Sequence, residues 1–233
     1  KICIVLGGFM STLRVSESPE WIKEKEFTKK ELEMLKEILP FYVINTLQEN
    51  YSYRGISVTE YGWSDNVWNT GILKEQLFHV ANLTLNYNLF MVERLEDMSE
   101  VCNQAHLDDH FYQYRDQERI AIYVNSRSNL VLSIFKHIRN AFAHGRFVMY
   151  PIGDDYMFVM ESVDHSNRSL VVKARMILRG STLINWMNLI RKGPEQGEVR
   201  KRRKKKALCF NKHKAIKIIV VFFNCYISFG VNT

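Results

Sequence analysis

The sequence predicts a mainly helical protein, a helical bundle that carries a small antiparallel β-meander appended near its C-terminal end. Two kinds of observation lead there. Capping signals and apolar residues at three- and four-residue spacing recur between residues 18 and 144. From residue 146 the apolar pattern shortens to a period of two, in segments rich in Val, Phe, Tyr and Ile.

Ser18-Pro19-Glu20 places a capping residue before a proline suited to the first helical position. Thr28-Lys29-Lys30-Glu31 has capping-box spacing. Leu32, Leu35, Ile38 and Leu39 then share a helical face, until Pro40 kinks or ends that helix. Residues 51–71 are aromatic, polar and marked by glycine, and read as a long loop. Over 72–95, Leu73, Leu77, Val80, Ala81, Leu85, Leu89 and Val92 are spaced for a packed helix. Phe78, Tyr87, Phe90 and Met91 widen that stripe and make the helix central in the bundle. A further helix is expected over 98–124. The clearest helix is predicted at 127–144, with Leu130, Val131, Ile134, Phe135, Ile138, Ala141 and Phe142 on one side. Ser133, Lys136, His137, Asn140 and His144 take the other side, and Gly145 follows as a helix-ending residue. Strands are predicted at 146–150, 156–163 and 170–177, with turn material between them and a closing helix at 181–190.

The ends differ from this body. Residues 1–17 are expected to be an extension outside the fold. KICIVLGGF at 1–9 reads either as a leader or as sequence upstream of a native start at Met10. The break at 191–200 ends the folded part, so the domain is expected to span 18–192 and a tail 193–233. Residues 198–233 hold ten Lys or Arg against the single Glu198, a net of +9. The whole chain carries +7, so the other 197 residues carry −2, and any nucleic acid must be handled at a local site. The tail sets KRRKKK (201–206) before an apolar run at 215–231 that is shorter than a bilayer span. Surface attachment through that tail is a minor reading beside a basic or non-native one. With 46% hydrophobic and 24% charged residues, a wholly disordered chain is excluded. Cys3, Cys102, Cys209 and Cys225 form neither a CxxC nor a metal-ligand spacing, which points to a reducing, cytoplasmic setting and to no metal or cofactor.

Chemistry concentrates in His137-Ile138-Arg139-Asn140-Ala141-Phe142-Ala143-His144-Gly145-Arg146. At roughly 100° per residue, Asn140 and His144 share a helix face, and Arg139 flanks it. His144 falls in the last turn, near the negative end of the helix dipole. A histidine exchanges protons near neutrality, an arginine neutralises a phosphate, and an asparagine holds an oxygen or its neighbours in place. That set suits metal-independent cleavage of RNA by attack of the 2′-OH, for which DNA is inert. The plainer alternative is a C-capping histidine beside a solvated Arg–Asn face. His137 reads as a surface or supporting residue. Asp108-Asp109-His110 lacks partner ligands at helical spacing and is a weak metal candidate.

Arg139-Asn140-Ala-Phe-Ala-His144, read with Gly145, resembles the R-N-x-x-x-H form of the HEPN signature. The helix-rich region before it and the meander after it resemble the plasmid-borne and abortive-infection branch of that family, over roughly 20–192. The resemblance implies a HEPN-like α-helical domain that forms a homodimer, with the motifs of two protomers meeting in one cleft. It implies Arg139 and His144 as the catalytic pair of an endoribonuclease and Asn140 as their support. It further implies a toxin–antitoxin, abortive-infection or antiviral defence role, RNA as substrate, and an antitoxin or regulatory protein that restrains the activity. Other members of that family are inactive and serve in RNA binding or assembly, which is the alternative for this chain.

Overall fold

The computed structural model describes residues 12–16, 19–22, 26–47, 52, 54–113, 116–166 and 169–194. Lys1–Lys192 and Gly193–Thr233 separate into two compact units, and nearly all that is described belongs to the first. The expectations for residues 1–9, Ser18, 201–206 and 215–231 lie outside the described residues. In chain order the elements are β1 (Arg14–Val15), α1 (Lys29–Leu39), α2 (Ile72–Val80), β2 (Leu89–Val92), α3 (Met98–Gln104), β3 (Arg119–Tyr123), α4 (Leu130–Ala143), β4 (Phe147–Ile152), β5 (Asp155–Ser166), β6 (Ser169–Arg179) and α5 (Gly180–Lys192).

The expected helical bundle with an appended meander is incorrect. A six-stranded mixed sheet runs through the middle, in the order β2-β3-β6-β5-β4, and β1 pairs with the start of β6. The predicted meander is β4-β5-β6, and it forms the body of this sheet. β3 extends the sheet along the other edge of β6, with Ile122 opposite Ala174, and β2 adds in parallel to β3. A parallel neighbour requires a crossover, and α3 lies on the connection from β2 to β3.

Alternation then sorts the strand residues onto two covered faces. Ile120, Ile122, Phe158, Met160, Ala174, Met176 and Leu178 pack in one core with α1, α2, α4 and α5. Ala121, Met157, Val159 and Ile177 pack in a second core with Met98, Val101 and Cys102 of α3, and with Leu107 and Phe111. Burial on both sides is why β3 reads Ile-Ala-Ile without a polar alternate. Buried aromatic donors tie the helices together: Trp186 Nε1 to Leu77 O at 2.7 Å, Trp63 Nε1 to Ile190 O at 2.8 Å, and Tyr42 OH to Leu183 O at 2.8 Å. Trp63 comes from the stretch expected to be a long loop; that stretch buries Val58 and Val67 as well and forms short 3-10 turns at Val58–Tyr61 and Val67–Asn69.

Two predicted helices break for local reasons. The stretch 72–95 is helical only to Val80, because Asn82 and Asn86 take left-handed φ of 49° and 61° and the chain re-enters as a strand at Leu89. The stretch 98–124 is helical only to Gln104; His106 at φ 53° turns the chain toward β3. Pro19 opens a turn, closed by Ile22 N–H on its carbonyl at 3.0 Å, where a helix start was expected. The Thr28 capping box does form: Thr28 Oγ1 accepts from Glu31 N at 3.3 Å, and Thr28 N donates to Glu31 Oε2 at 2.7 Å. At Pro40 the α-helix passes into a π-helical turn, Pro40–Ile44, closed by Asn45 N–H on Pro40 O at 2.8 Å. Among the described residues, no helix is long and apolar enough to cross a membrane.

Candidate functional site

Asn129 starts α4. Its Oδ1 accepts from Val131 N at 2.9 Å and Leu132 N at 3.3 Å, and its Nδ2 donates to Trp68 O at 2.8 Å. The helix stops at His144 because Gly145 adopts a left-handed φ of 64°. Gly145 N–H then reaches Phe142 O at 3.2 Å, and Arg146 N–H reaches Ala141 O at 2.8 Å, the paired bonds of a Schellman end.

The next residue locks that corner. Arg146 is buried and donates to the fully buried Glu161 of β5, which also accepts from Arg175 Nε at 2.9 Å. Arg175 bonds Leu107 O at 3.0 Å and lies 4.7 Å from the centre of the Phe111 ring. Glu161 and Arg175 are direct cross-strand partners on adjacent strands. Two guanidinium groups thus share one carboxylate beneath the end of α4, which makes removal of that carboxylate costly.

The three motif residues occupy the last turn and C-cap of this helix. Arg139 is half-buried, and its Nη1 donates to Asn140 Oδ1 at 3.2 Å. Asn140 is buried, and its backbone carbonyl accepts the His144 N–H at 3.0 Å. His144 is exposed at the C-cap, outside regular helical torsions at φ −99° and ψ 6°. The Asn140 side chain thus holds Arg139, while its bond to His144 is the last i→i−4 backbone bond of the helix. This corner can offer a proton-transferring imidazole and a guanidinium to a ligand arriving from solvent.

The solvated face of the plainer alternative does not form along this side of α4. Ser133, His137 and Asn140 are buried. His137 is no surface residue: its Nδ1 lies 2.8 Å from Ser162 Oγ on β5. Burial, helped by the nearby Lys136 cation, lowers its pKa to about 4, against the pull of Asp164 and a hydrogen bond to the Tyr123 backbone. His137 is therefore a neutral imidazole at physiological pH, packed one and two turns away from the motif.

Among the described residues, Asp108, Asp109 and His110 form no metal-binding cluster. Asp108 Oδ1 accepts from His110 N at 3.1 Å, and Asp109 lies 3.5 Å from Arg175. Sequence reasoning overlooked Glu161 and Arg175, and gave Arg146 no role. Their signal was present: Glu161 and Arg175 interrupt apolar strands at inward positions with opposite charges. The chain matches no protein-family model, no curated protein and no solved structure.

Proposed function

We propose that this chain is a metal-independent endoribonuclease. It cleaves RNA by attack of a ribose 2′-OH on the adjacent phosphorus, within a cytoplasmic toxin–antitoxin, abortive-infection or related defence system. One observation carries the reading: Arg139, Asn140 and His144 share the last turn and C-cap of α4, with the Arg139–Asn140 bond at 3.2 Å and His144 exposed to solvent. The likeness to HEPN ribonucleases rests on this motif alone, since the sheet-centred fold departs from the helical bundle that the likeness implied.

In this mechanism His144 takes the 2′-OH proton, and the 2′-oxygen forms a bond to phosphorus. Arg139 neutralises the charge that grows on the phosphoryl oxygens. The 5′-oxygen leaves and is protonated, giving a 2′,3′-cyclic phosphate and a 5′-hydroxyl end. Base and acid act on opposite sides of the phosphorus, so a second copy of the motif across a two-fold axis supplies the acid. Asn140 keeps the guanidinium oriented.

The test uses labelled single-stranded RNA, with and without a 2′-deoxy substitution at the cut site. Wild-type protein cuts the ribose substrate in EDTA and leaves the deoxy site intact. His144→Ala lowers cleavage by about 10²-fold or more and keeps RNA binding. Arg139→Ala weakens both. Full activity of His144→Ala, or cutting at the deoxy site, overturns the mechanism. Light scattering that finds only monomer alongside robust cleavage removes the shared-cleft part of it.

A further inference from the structure

Toward the N-terminal end of α4 lies a polar cavity, separate from the Arg139–His144 corner. It measures about 290 Å³ and is bounded by the loop leading into α4, the first turns of α4, and β3, β5 and β6. Its cations come from three separate elements: Arg127 from the loop, Lys136 from α4 and Lys173 from β6. Its one carboxylate, Asp164, sits 3.6 Å from Lys173 Nζ. With His137 neutral, the lining carries a net charge of +2. The positive end of the α4 dipole adds to this potential.

The cavity is organised before any ligand arrives. Asn125 shapes its entrance loop, with Oδ1 accepting from Arg127 N at 3.0 Å and its carbonyl accepting from Ser128 N at 2.7 Å. Ser133 and His137, one turn apart on α4, reach the cavity although both are more than nine-tenths buried. The register shift at Ser162/Val163 of β5 sits beside His137 and bends the strand at this wall. Lys173 Nζ lies 5.0 Å from the centre of the Tyr123 ring, so charge and aromatic surface adjoin.

Charge and size select the occupant. A phosphate monoester carries about −1.5 to −2 at pH 7, which a +2 lining matches and a single carboxylate does not. The volume is that of roughly ten water molecules, more than a bare phosphate fills. It also sits at the lower edge of the range for small-ligand sites, at the scale of one nucleotide rather than a longer chain. Asp164 and Asn125 supply acceptors for sugar or base donors. We propose that this cavity binds the phosphate monoester of a single nucleotide, with Arg127 and Lys136 on the phosphate. The site stands independently of the ribonuclease reading, because none of its residues belongs to the Arg139–Asn140–His144 set.

Isothermal titration of the full chain with AMP, GMP, CMP and UMP, the matching nucleosides, and inorganic phosphate tests the proposal. At least one nucleotide should bind tenfold or more tightly than its nucleoside and than inorganic phosphate. Arg127→Glu and Lys136→Glu should each weaken it tenfold or more. Lys74→Glu, an equal charge change on the exposed side of α2, should alter it less than twofold. Arg127 is exposed on a loop, so its variant remains informative if Lys136→Glu fails to fold. The same titrations in the His144→Ala background should be unchanged. In that background, competition by a short 5′-phosphorylated RNA but not its 5′-hydroxyl form assigns the monoester to a strand end, and no competition assigns it to free nucleotide. Equal affinity for nucleoside and nucleotide, affinity for inorganic phosphate alone, no binding of any nucleotide, or an unchanged affinity in Arg127→Glu overturns the proposal.

Discussion

Acidification should destabilise this protein through one buried imidazole. His137 is 5% exposed, and burial with the neighbouring Lys136 holds its pKa at about 4, below the ordinary 6.5. The unfolded chain therefore binds a proton at His137 that the folded chain refuses, across the window from pH 6.5 down to about 4. Stability from this residue is fully present above pH 6.5 and is lost as pH falls. At 1.36 kcal/mol per pH unit, the whole window is worth about 3 kcal/mol, of which about 2 kcal/mol is gone by pH 5. A loss of that size is a large share of the ~5–15 kcal/mol that holds a typical domain folded. Glu118 works in the opposite sense: burial raises its carboxyl pKa, so its penalty at neutral pH shrinks as it protonates in acid. The assay is urea unfolding at half-unit steps from pH 8 to 4.5, for wild type and His137→Gln. Subtracting the two curves removes Glu118 and every other shared group. The wild type should lose about 2 kcal/mol more than the variant between pH 8 and pH 5. Parallel curves would refute the buried neutral histidine.

Two further outcomes follow from the end of α4. Glu161→Ala should cost about 3–5 kcal/mol in chemical denaturation, since it strands the buried guanidinium groups of Arg146 and Arg175, and a loss under 1 kcal/mol would contradict the shared-carboxylate arrangement. Gly145→Ala should cost about 1–2 kcal/mol in thermal melting, purely from the left-handed φ of 64°, because an added Cβ meets no atom within 4 Å; a neutral result would mean the helix ends another way.

Much of the local structure is legible in short stretches of the sequence. Thr28 and Glu31 announce a helix start because each satisfies the other's backbone within three residues. Gly145 announces a helix end because it takes a left-handed torsion at low cost. The meander was legible because its alternation extends over three consecutive segments. The placement of Arg139, Asn140 and His144 in the last turn and C-cap of a helix was legible from the apolar stripe and Gly145.

The architecture was not legible in the same way. Leu89–Val92 and Arg119–Tyr123 are short apolar runs, and such runs satisfy a buried strand and a buried helix equally well. What decides between them is the exposed edge of β6, which supplies hydrogen bonds to β3, and through β3 to β2, from residues more than fifty positions away. The same long-range placement buries His137 against Ser162 and gathers Arg127, Lys136 and Lys173 around one cavity. Sequence alone determined where the chain could cap, turn and alternate, because those choices are settled among residues within a few positions of one another. Which strands pair, which polar groups are buried and which charges converge was decided only by the tertiary structure, because each of these depends on partners that distant segments bring into contact.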